Sequence, residues 1–237
     1  MAQRRVEHIT PAYRGVMYGS TPLAVWWGRL EVVGLELLPL TGPILLAGNH
    51  DSYWDTVTTG IAAMPRRQIR ALAKATMWNQ PVLAKVLDGM GQIPIDRDKG
   101  DHGALDRAVY ELKENGICLG VYPEGTRSLG RTLRPRSGFG RLAERVPEAK
   151  ILCAACSGTV DIPKFPQDRP KVRVEFFEPA GGPKRSDETA AEFSARILAE
   201  IRAKAPISVA GRARAKRIAA GDDPEVVARE SGARPGG

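Results

Sequence analysis

The feature that most constrains the fold is a repeated alternation of short apolar runs with stretches of helical pattern. Each apolar run is bounded by Gly, Pro or charged residues, as strands of a buried sheet are. The runs that predict strands are 42–48, 69–73, 91–95, 117–121, 151–155 and 172–177. Helical patterns cover 56–64, 81–87, 103–115 and 187–204, with Ser186 as the expected cap of the last. Strands that alternate with helices predict a mixed α/β domain whose largely parallel sheet is flanked by helices.

The chain divides into three parts by composition. Residues 1–28 are rich in aromatic and aliphatic side chains and contain the pair Trp26-Trp27. They predict an amphipathic helical segment that either lies on a membrane surface or packs onto the domain, and the sequence leaves both open. Residues 29–205 form the α/β domain, which begins with an alternating stretch over 29–38 that predicts a half-exposed strand. Residues 206–237 are a basic appendage rich in Ala and Arg.

The charge of the chain indicates an anionic partner. Its formal net charge is +8 with a pI near 9.6, which suits a lipid surface, a phosphorylated substrate or nucleic acid. Nucleic acid is not expected, because no basic tract has interleaved aromatic residues. The longest uncharged stretches, 15–28 and 37–50, are shorter than the ~18 residues that a bilayer span needs. No signal-peptide pattern is present. We therefore expect a peripheral, monotopic protein on the cytoplasmic face of the cell membrane.

The three cysteines do not indicate a disulfide or metal site. Cys153 and Cys156 have the C-x-x-C spacing but fall within a predicted strand, where residues three apart face opposite sides of the sheet. Together with Cys118 they are predicted to be buried core thiols.

The turn after the first buried strand contains a candidate base. His50 follows that strand, and Asp55 falls five residues later in the first turn of the next helix. A carboxylate there can hold the Nδ1–H of the imidazole and leave Nε2 free to accept a proton. Such a pair needs no serine or cysteine if the hydroxyl that reacts belongs to the substrate.

Cations follow the other strands of the predicted sheet. Lys74, Arg97 and Arg127 each lie just beyond a predicted strand, as His50 does. The carboxyl ends of parallel strands share one edge, where ligands of open α/β sheets bind. The sequence therefore predicts a site for a phosphate-bearing alcohol beside the His/Asp pair.

Three motifs together resemble those of the glycerolipid acyltransferase family, and in particular the acylglycerol-phosphate (lysophosphatidic acid) acyltransferases. They are Asn49-His50-x-Ser52-x-x-Asp55, then 95–97 (Ile-Asp-Arg), then 122–128 (Tyr-Pro-Glu-Gly-Thr-Arg-Ser). The resemblance covers about 26–179, and a fourth family block is loosely matched at 151–159. Tyr122 stands where the family usually has Phe.

The resemblance implies a role for each matching residue. His50 is the general base and Asp55 its partner, with Asn49 and Ser52 as supporting residues. The acceptor phosphate is expected to bind at a set of residues shared between the strand ends: Lys74, Arg97, Glu124, Gly125, Thr126 and Arg127. No metal or cofactor is implied, and acyl-CoA or an acyl carrier protein is the co-substrate.

The implied reaction moves a fatty acyl group to the free hydroxyl of lysophosphatidic acid and gives phosphatidic acid for phospholipid synthesis. The expected partners are this acceptor, the acyl donor and an anionic membrane surface. Alternative acceptors are another lysophospholipid, glycerol phosphate or a glycolipid. The alternative from another functional class is a non-catalytic binder of anionic lipid or nucleic acid, although such a binder has no use for His50 and Asp55. The apolar residues along 77–87 either line an acyl groove or pack in the core, and core packing is the more common role of such residues.

Overall fold

A computed structural model of the chain describes residues 9–96, 102–162, 169–208 and 221–222. These residues contain seven strands: β1 (Glu31–Val33), β2 (Ile44–Gly48), β3 (Ile69–Lys74), β4 (Ile93–Ile95), β5 (Cys118–Val121), β6 (Lys150–Ser157) and β7 (Arg173–Phe177). The α-helices are α1 (Pro11–Thr21), α2 (Tyr53–Ala63), α3 (Pro81–Gly89), α4 (His102–Asn115), α5 (Gly138–Arg145) and α6 (Ala190–Lys204). A π-helical turn, Pro22–Trp27, extends α1.

The strands form one sheet in the order β1-β7-β6-β2-β5-β3-β4. Every neighbouring pair is parallel except β6 and β7, which are antiparallel. The prediction of a mixed, largely parallel sheet flanked by helices is confirmed. β2 lies at the centre between β6 and β5, and all five of its residues are buried, as expected for a strand covered on both faces.

Helices cover both faces of the sheet. On one face α4, α5 and α6 pack over a core that includes Leu45, Leu119 and Cys153. On the other face α2 packs over Ile44, Leu46 and Cys156, and α1 packs on α2. The two cysteines of the C-x-x-C sequence therefore lie on opposite faces of β6.

All three cysteines are buried in the core, as predicted. Burial raises the pKa of Cys153 to about 12, so this thiol stays protonated at neutral pH. The same cause raises the pKa of Cys156 well above its usual range.

The amino-terminal segment packs on the domain with one side and exposes the other. Tyr13 and Met17 of α1 are buried against Ile61 and Met90, and the Tyr13 hydroxyl donates to the Gly60 carbonyl at 3.3 Å. The large apolar side chains on the exposed side are Tyr18, Leu23, Val25 and Trp26. Within the described residues, no helix has both the length and the hydropathy that crossing a bilayer requires.

Three predicted elements differ in the structure. The strand expected over 29–38 is only Glu31–Val33, because Gly34 turns the chain with φ +72°. The last helix begins after Thr189, which forms a capping box with Glu192, and Ser186 is not its cap. The helix Gly138–Arg145 was not predicted, since it begins with Gly-Phe-Gly and has no side-chain cap.

Candidate active site

Four neighbouring strands end at the edge of the sheet where the predicted site residues lie. β2 leads to His50, β5 to the loop that contains Arg127, β3 ends at Lys74, and β4 leads to Asp96. These strands are parallel and adjacent in the order β2-β5-β3-β4, so their carboxyl ends face the same side. The topology therefore brings the described members of the predicted site to one edge.

The His/Asp pair is formed as predicted from its spacing. Nδ1 of His50 lies 3.3 Å from Oδ2 of Asp55. The Asp55 carboxylate is fully buried, whereas 13% of the His50 side chain stays exposed. Because Nδ1 faces the carboxylate, Nε2 is on the other side of the ring and is the nitrogen that can exchange a proton with a substrate.

Besides the histidine, three other hydrogen-bond donors hold the Asp55 carboxylate in place. Its Oδ2 accepts the backbone N–H of Asp51 at 2.6 Å and that of Ser52 at 2.7 Å. Its Oδ1 accepts the hydroxyl of Thr159, which follows β6. The carboxylate is thus fixed on the turn by two backbone donors and one hydroxyl donor. The sequence did not identify Thr159 as a site residue, since its contact with Asp55 joins distant parts of the chain.

Asn49 and Ser52 support the turn from both ends. The Asn49 amide exchanges two hydrogen bonds with the backbone of Cys156 in β6, each 2.8 Å long. Ser52 is the N-cap of α2 and accepts the Trp54 N–H at 3.2 Å, while Asp55 completes the capping box. The β2–α2 turn is therefore anchored to the sheet by one residue and to the helix by the other.

The loop after β5 is hydrogen-bonded to the histidine turn. The Ser128 N–H donates to the His50 carbonyl at 2.7 Å, and this places Arg127 next to the turn. The Arg127 guanidinium stacks over the ring of Tyr53, the first residue of α2, at 3.8 Å from the ring centroid. Gly125 turns the loop with φ +71°, and its N–H donates to the Tyr122 carbonyl at 2.9 Å. Of the two predicted cations that the structure describes, Lys74 and Arg127, it is Arg127 whose loop is joined to the His50 turn by these contacts.

Glu124 is buried within the site and faces protein donors. Its Oε2 accepts the His50 N–H at 2.7 Å, and its Oε1 accepts two hydrogen bonds from Arg202 of α6. Burial raises the pKa of Glu124 above its ordinary value, while the neighbouring Arg202 lowers it. Its observed contacts thus position His50. Sequence reasoning missed Arg202 and its second partner, Asp51, because no local pattern links them.

The remaining residues of the predicted phosphate site are Lys74, Thr126 and Arg97. Lys74 ends β3, two strands from β2, which corresponds to about 10 Å at normal strand spacing. Thr126 is half-buried in the loop beside Arg127. Arg97 lies outside the described residues, so its predicted role stays a prediction.

An apolar cavity adjoins the histidine across Tyr122. The Tyr122 ring lies 4.8 Å from the His50 ring, centroid to centroid, and also lines a cavity of about 370 Å³. Burial raises the pKa of Tyr122 well above its usual range, so its hydroxyl is neutral. Other residues of the cavity wall include Leu72, Leu105, Val121, Phe139, Arg136 and Arg141. The apolar residues along 77–87 contribute nothing to this cavity, and Val82 among them is 79% exposed.

Known proteins are similar to this chain over between two fifths and two thirds of its length. A family model described as Acyltransferase matches residues 29–164. The 1-acyl-sn-glycerol-3-phosphate acyltransferase of Haemophilus influenzae is 25% identical over 66% of this chain and 69% of its own length. The Bacillus subtilis protein of that name is 28% identical over 43% of this chain and half of its own length.

A solved structure agrees with the fold. The 1-acyl-sn-glycerophosphate (LPA) acyltransferase PlsC from Thermotoga maritima superposes with a TM-score of 0.61 at 21% identity, covering 83% of this chain and 81% of that one. At this identity the likeness concerns the fold. The family model, however, spans more than half of the chain and includes His50, Asp55 and the loop after β5. The chain therefore belongs to the Acyltransferase family and is an O-acyltransferase.

Proposed function

We propose that this enzyme transfers a fatty acyl group from a thioester donor to the free hydroxyl of lysophosphatidic acid, giving phosphatidic acid. The names of its relatives in H. influenzae and B. subtilis support this acceptor. The observation that carries the proposal is the joining of two motifs: a buried carboxylate orients His50, and the His50 carbonyl is hydrogen-bonded to the loop that contains Arg127.

In the proposed reaction His50 is the general base. Its Nε2 takes the proton of the acceptor hydroxyl as that oxygen attacks the thioester carbonyl. Asp55 keeps the productive tautomer and stabilises the imidazolium that forms. The tetrahedral intermediate then breaks its C–S bond, and the imidazolium protonates the departing thiolate. No acyl-enzyme is formed, and His50 returns to its neutral state.

Arg127 is proposed as the main contact of the acceptor phosphate. Its guanidinium is a planar fork that matches phosphate oxygens, and stacking on Tyr53 holds it in place beside the turn. Lys74 can reach the same edge from β3 with its long side chain. Holding the phosphate fixes the position of the hydroxyl relative to Nε2, which lowers the entropic part of the barrier.

The apolar cavity beside Tyr122 is proposed to receive the acyl chain of the donor. Its walls are largely aliphatic and aromatic, and Tyr122 separates it from the base by one ring contact. The segment 126–141 runs from the loop after β5 into α5 and contributes Arg136 and Arg141 to the cavity wall. It contains five arginines and no acidic residue. Both candidate donors, acyl-CoA and an acyl carrier protein, are anionic, so this segment suits either one.

We further propose that the enzyme works on an anionic membrane surface on the cytoplasmic side. The exposed side of the amino-terminal segment combines Leu23 and Trp26 with nearby arginines, and the Arg169 guanidinium lies 5.6 Å from the Trp26 ring. Aromatic and aliphatic side chains beside basic ones are typical of interfacial segments. The acceptor is itself a membrane lipid, so such a surface would bring enzyme and substrate together.

The test of the proposal is His50→Ala assayed with one acyl-CoA and several acceptors. Removing the base should lower kcat for lysophosphatidic acid by about 10²–10⁴-fold, the usual contribution of general base catalysis. His102→Ala is the control and should keep wild-type activity. The panel includes lysophosphatidic acid, lysophosphatidylcholine, glycerol 3-phosphate and a glycolipid. Wild-type turnover by His50→Ala would refute the mechanism, and a preference for another acceptor would refute the substrate.

A further inference from the structure

An arginine outside the span matched by the family model reaches the centre of the site. Arg202 lies in the last turn of α6, and its guanidinium contacts two acidic side chains from different loops. Nη1 and Nη2 donate to the two carboxylate oxygens of Asp51 at 2.8 and 2.9 Å. Nε and Nη2 donate to Oε1 of Glu124 at 3.2 and 2.5 Å. One planar group thus makes four hydrogen bonds to carboxylates.

The two carboxylates hold the backbone and side chains of both site loops. Glu124 accepts the N–H of His50 through its other oxygen. Asp51 directly follows His50 and accepts the hydroxyl of Ser128, whose own N–H donates to the His50 carbonyl. The histidine turn and the Arg127 loop therefore meet at a single ion cluster, which α6 completes.

Burial makes the cation necessary. The side chains of Asp51 and Glu124 are only 2% and 1% exposed, and that of Arg202 is 14% exposed. Two buried carboxylates without a cation repel each other and lose the hydration of their charges. Removing the arginine would therefore leave two uncompensated acids directly beside the catalytic turn.

We propose that Arg202 is a positioning residue for the acyl transfer: its guanidinium fixes the two site loops against each other and offsets the negative charge beside His50. The inference rests on the proposed role of His50 as the base. A base must be neutral to accept a proton, and Arg202 supplies the positive charge that pairs with Asp51 and Glu124 beside the histidine turn. It acts through Asp51 and Glu124 without touching substrate.

The sign of the expected pH effect follows from the groups around His50. The charged or titratable residues on the elements packed about it include Asp51, Tyr53, Asp55, Tyr122, Glu124, Arg127, Cys156 and Arg202. Tyr122 and Cys156 are neutral because their pKa values are raised. Loss of Arg202 makes the surroundings of the imidazole more negative, so the pKa of His50 rises and less of the base is free at neutral pH.

The experiment compares Arg202→Met with Arg196→Met in the full-length protein. Arg196 lies in the same helix and also pairs with two acids, Glu188 at 2.8 Å and Glu200 at 3.5 Å, which makes it a matched control away from the site. Proton NMR titration gives the pKa of His50 directly, since the chain has three histidines and His50→Ala assigns the resonance. This readout needs no substrate, so it stands even if the acceptor or the reaction is wrong.

We expect Arg202→Met to raise the pKa of His50 by about 0.5–1 unit and to lower kcat at least ~10-fold. The KM for the acceptor and the KM for the acyl donor should change little. Arg196→Met should leave the pKa of His50 and kcat as in the wild type. Arg202→Lys keeps the positive charge but loses the planar guanidinium fork that joins Asp51 to Glu124. It should lower kcat several-fold without moving the pKa of His50.

Three results would overturn the proposal. One is a folded Arg202→Met protein with the wild-type kcat and pKa of His50. Another is an equal loss of activity in Arg196→Met, which would indicate a general effect of destabilising α6. If Arg202→Met does not fold, wild-type kcat in Arg202→Lys would equally exclude a positioning role for the fork.

Discussion

Asp55 shows how much of the site depends on one carboxylate. The same side chain orients His50, accepts two backbone N–H groups of the turn and binds the Thr159 hydroxyl. An amide in its place has one oxygen for these donors and presents an NH₂ group to the others. Catalysis and the local structure of the turn are therefore coupled in this residue.

We expect Asp55→Asn to lower kcat by about 10²–10⁴-fold, because the imidazole loses its fixed tautomer and the imidazolium loses its partner. The protein should also lose about 1 kcal/mol of unfolding free energy with the capping box of α2. Steady-state kinetics and urea unfolding measure the two effects. Asp106→Asn is the control, since its carboxylate is 63% exposed and pairs with Arg145 on the surface. A wild-type kcat in Asp55→Asn would contradict the assignment.

Arg127 is expected to act on the acceptor alone. Arg127→Ala should raise the KM for lysophosphatidic acid about 10–100-fold, which corresponds to the loss of charge-assisted hydrogen bonds worth about 1.5–3 kcal/mol. The KM for acyl-CoA should change less than about twofold. Arg145→Ala, which removes a surface guanidinium, should change neither value. Equal rises in the KM for lysophosphatidic acid and the KM for acyl-CoA would indicate that Arg127 contacts the donor as well, or acts on both substrates only through its charge.

The predictability of the site residues depends on the distance in sequence between partners. His50 and Asp55 are five residues apart across a strand-to-helix turn, so their pairing follows from local geometry. Arg202 and Asp51 are separated by 151 residues, and Thr159 and Asp55 by 104. Such contacts depend on how α6 and β6 pack, and no periodicity or cap in the sequence specifies that.

At the scale of elements, strands were predicted better than helix ends. Buried runs such as Cys118–Val121 are apolar because both faces of the sheet are covered, and this makes them visible in the sequence. The helix Gly138–Arg145 lacks helix-forming residues in its first turn and is stabilised by packing against α6. Its position was therefore set by tertiary contacts that sequence patterns do not contain.

The contact between α5 and α6 makes a sharp prediction about stability. A Cβ at Gly140 would lie 2.0 Å from the Ala190 carbonyl oxygen, whereas a Cβ at Gly138 would meet no atom within 4 Å. Gly140→Ala should thus force the helices apart and cost about 3 kcal/mol of unfolding free energy. Gly138→Ala should stay within about 1 kcal/mol of the wild type, or gain slightly from helix propensity. Both are measured by urea unfolding, and equal stabilities of the two variants would contradict this packing.

The whole molecule combines a net positive charge with an amino-terminal segment whose exposed side is apolar. The sequence left open whether 1–28 is a membrane segment or a packed helix, and the structure shows that α1 buries Tyr13 and Met17 in the domain. Deleting the segment would therefore remove core residues along with any membrane contact. Point substitutions on the exposed side test the membrane proposal without disturbing this core.

The double variant Leu23→Ser and Trp26→Ser should bind vesicles of phosphatidylglycerol and phosphatidylcholine at least ~10-fold more weakly, because it removes apolar groups that would enter the interface. Tyr110→Ser on α4 is the control: its side chain is 62% exposed but lies on the helices that cover the other face of the sheet. Binding of the wild type, measured by vesicle sedimentation, should also weaken as salt rises, since a protein of net charge +8 is attracted to anionic lipid. If the double variant and Tyr110→Ser both bind as the wild type does, a surface other than Leu23 and Trp26 must contact the membrane. If salt has no effect either, the net charge contributes nothing to membrane attachment.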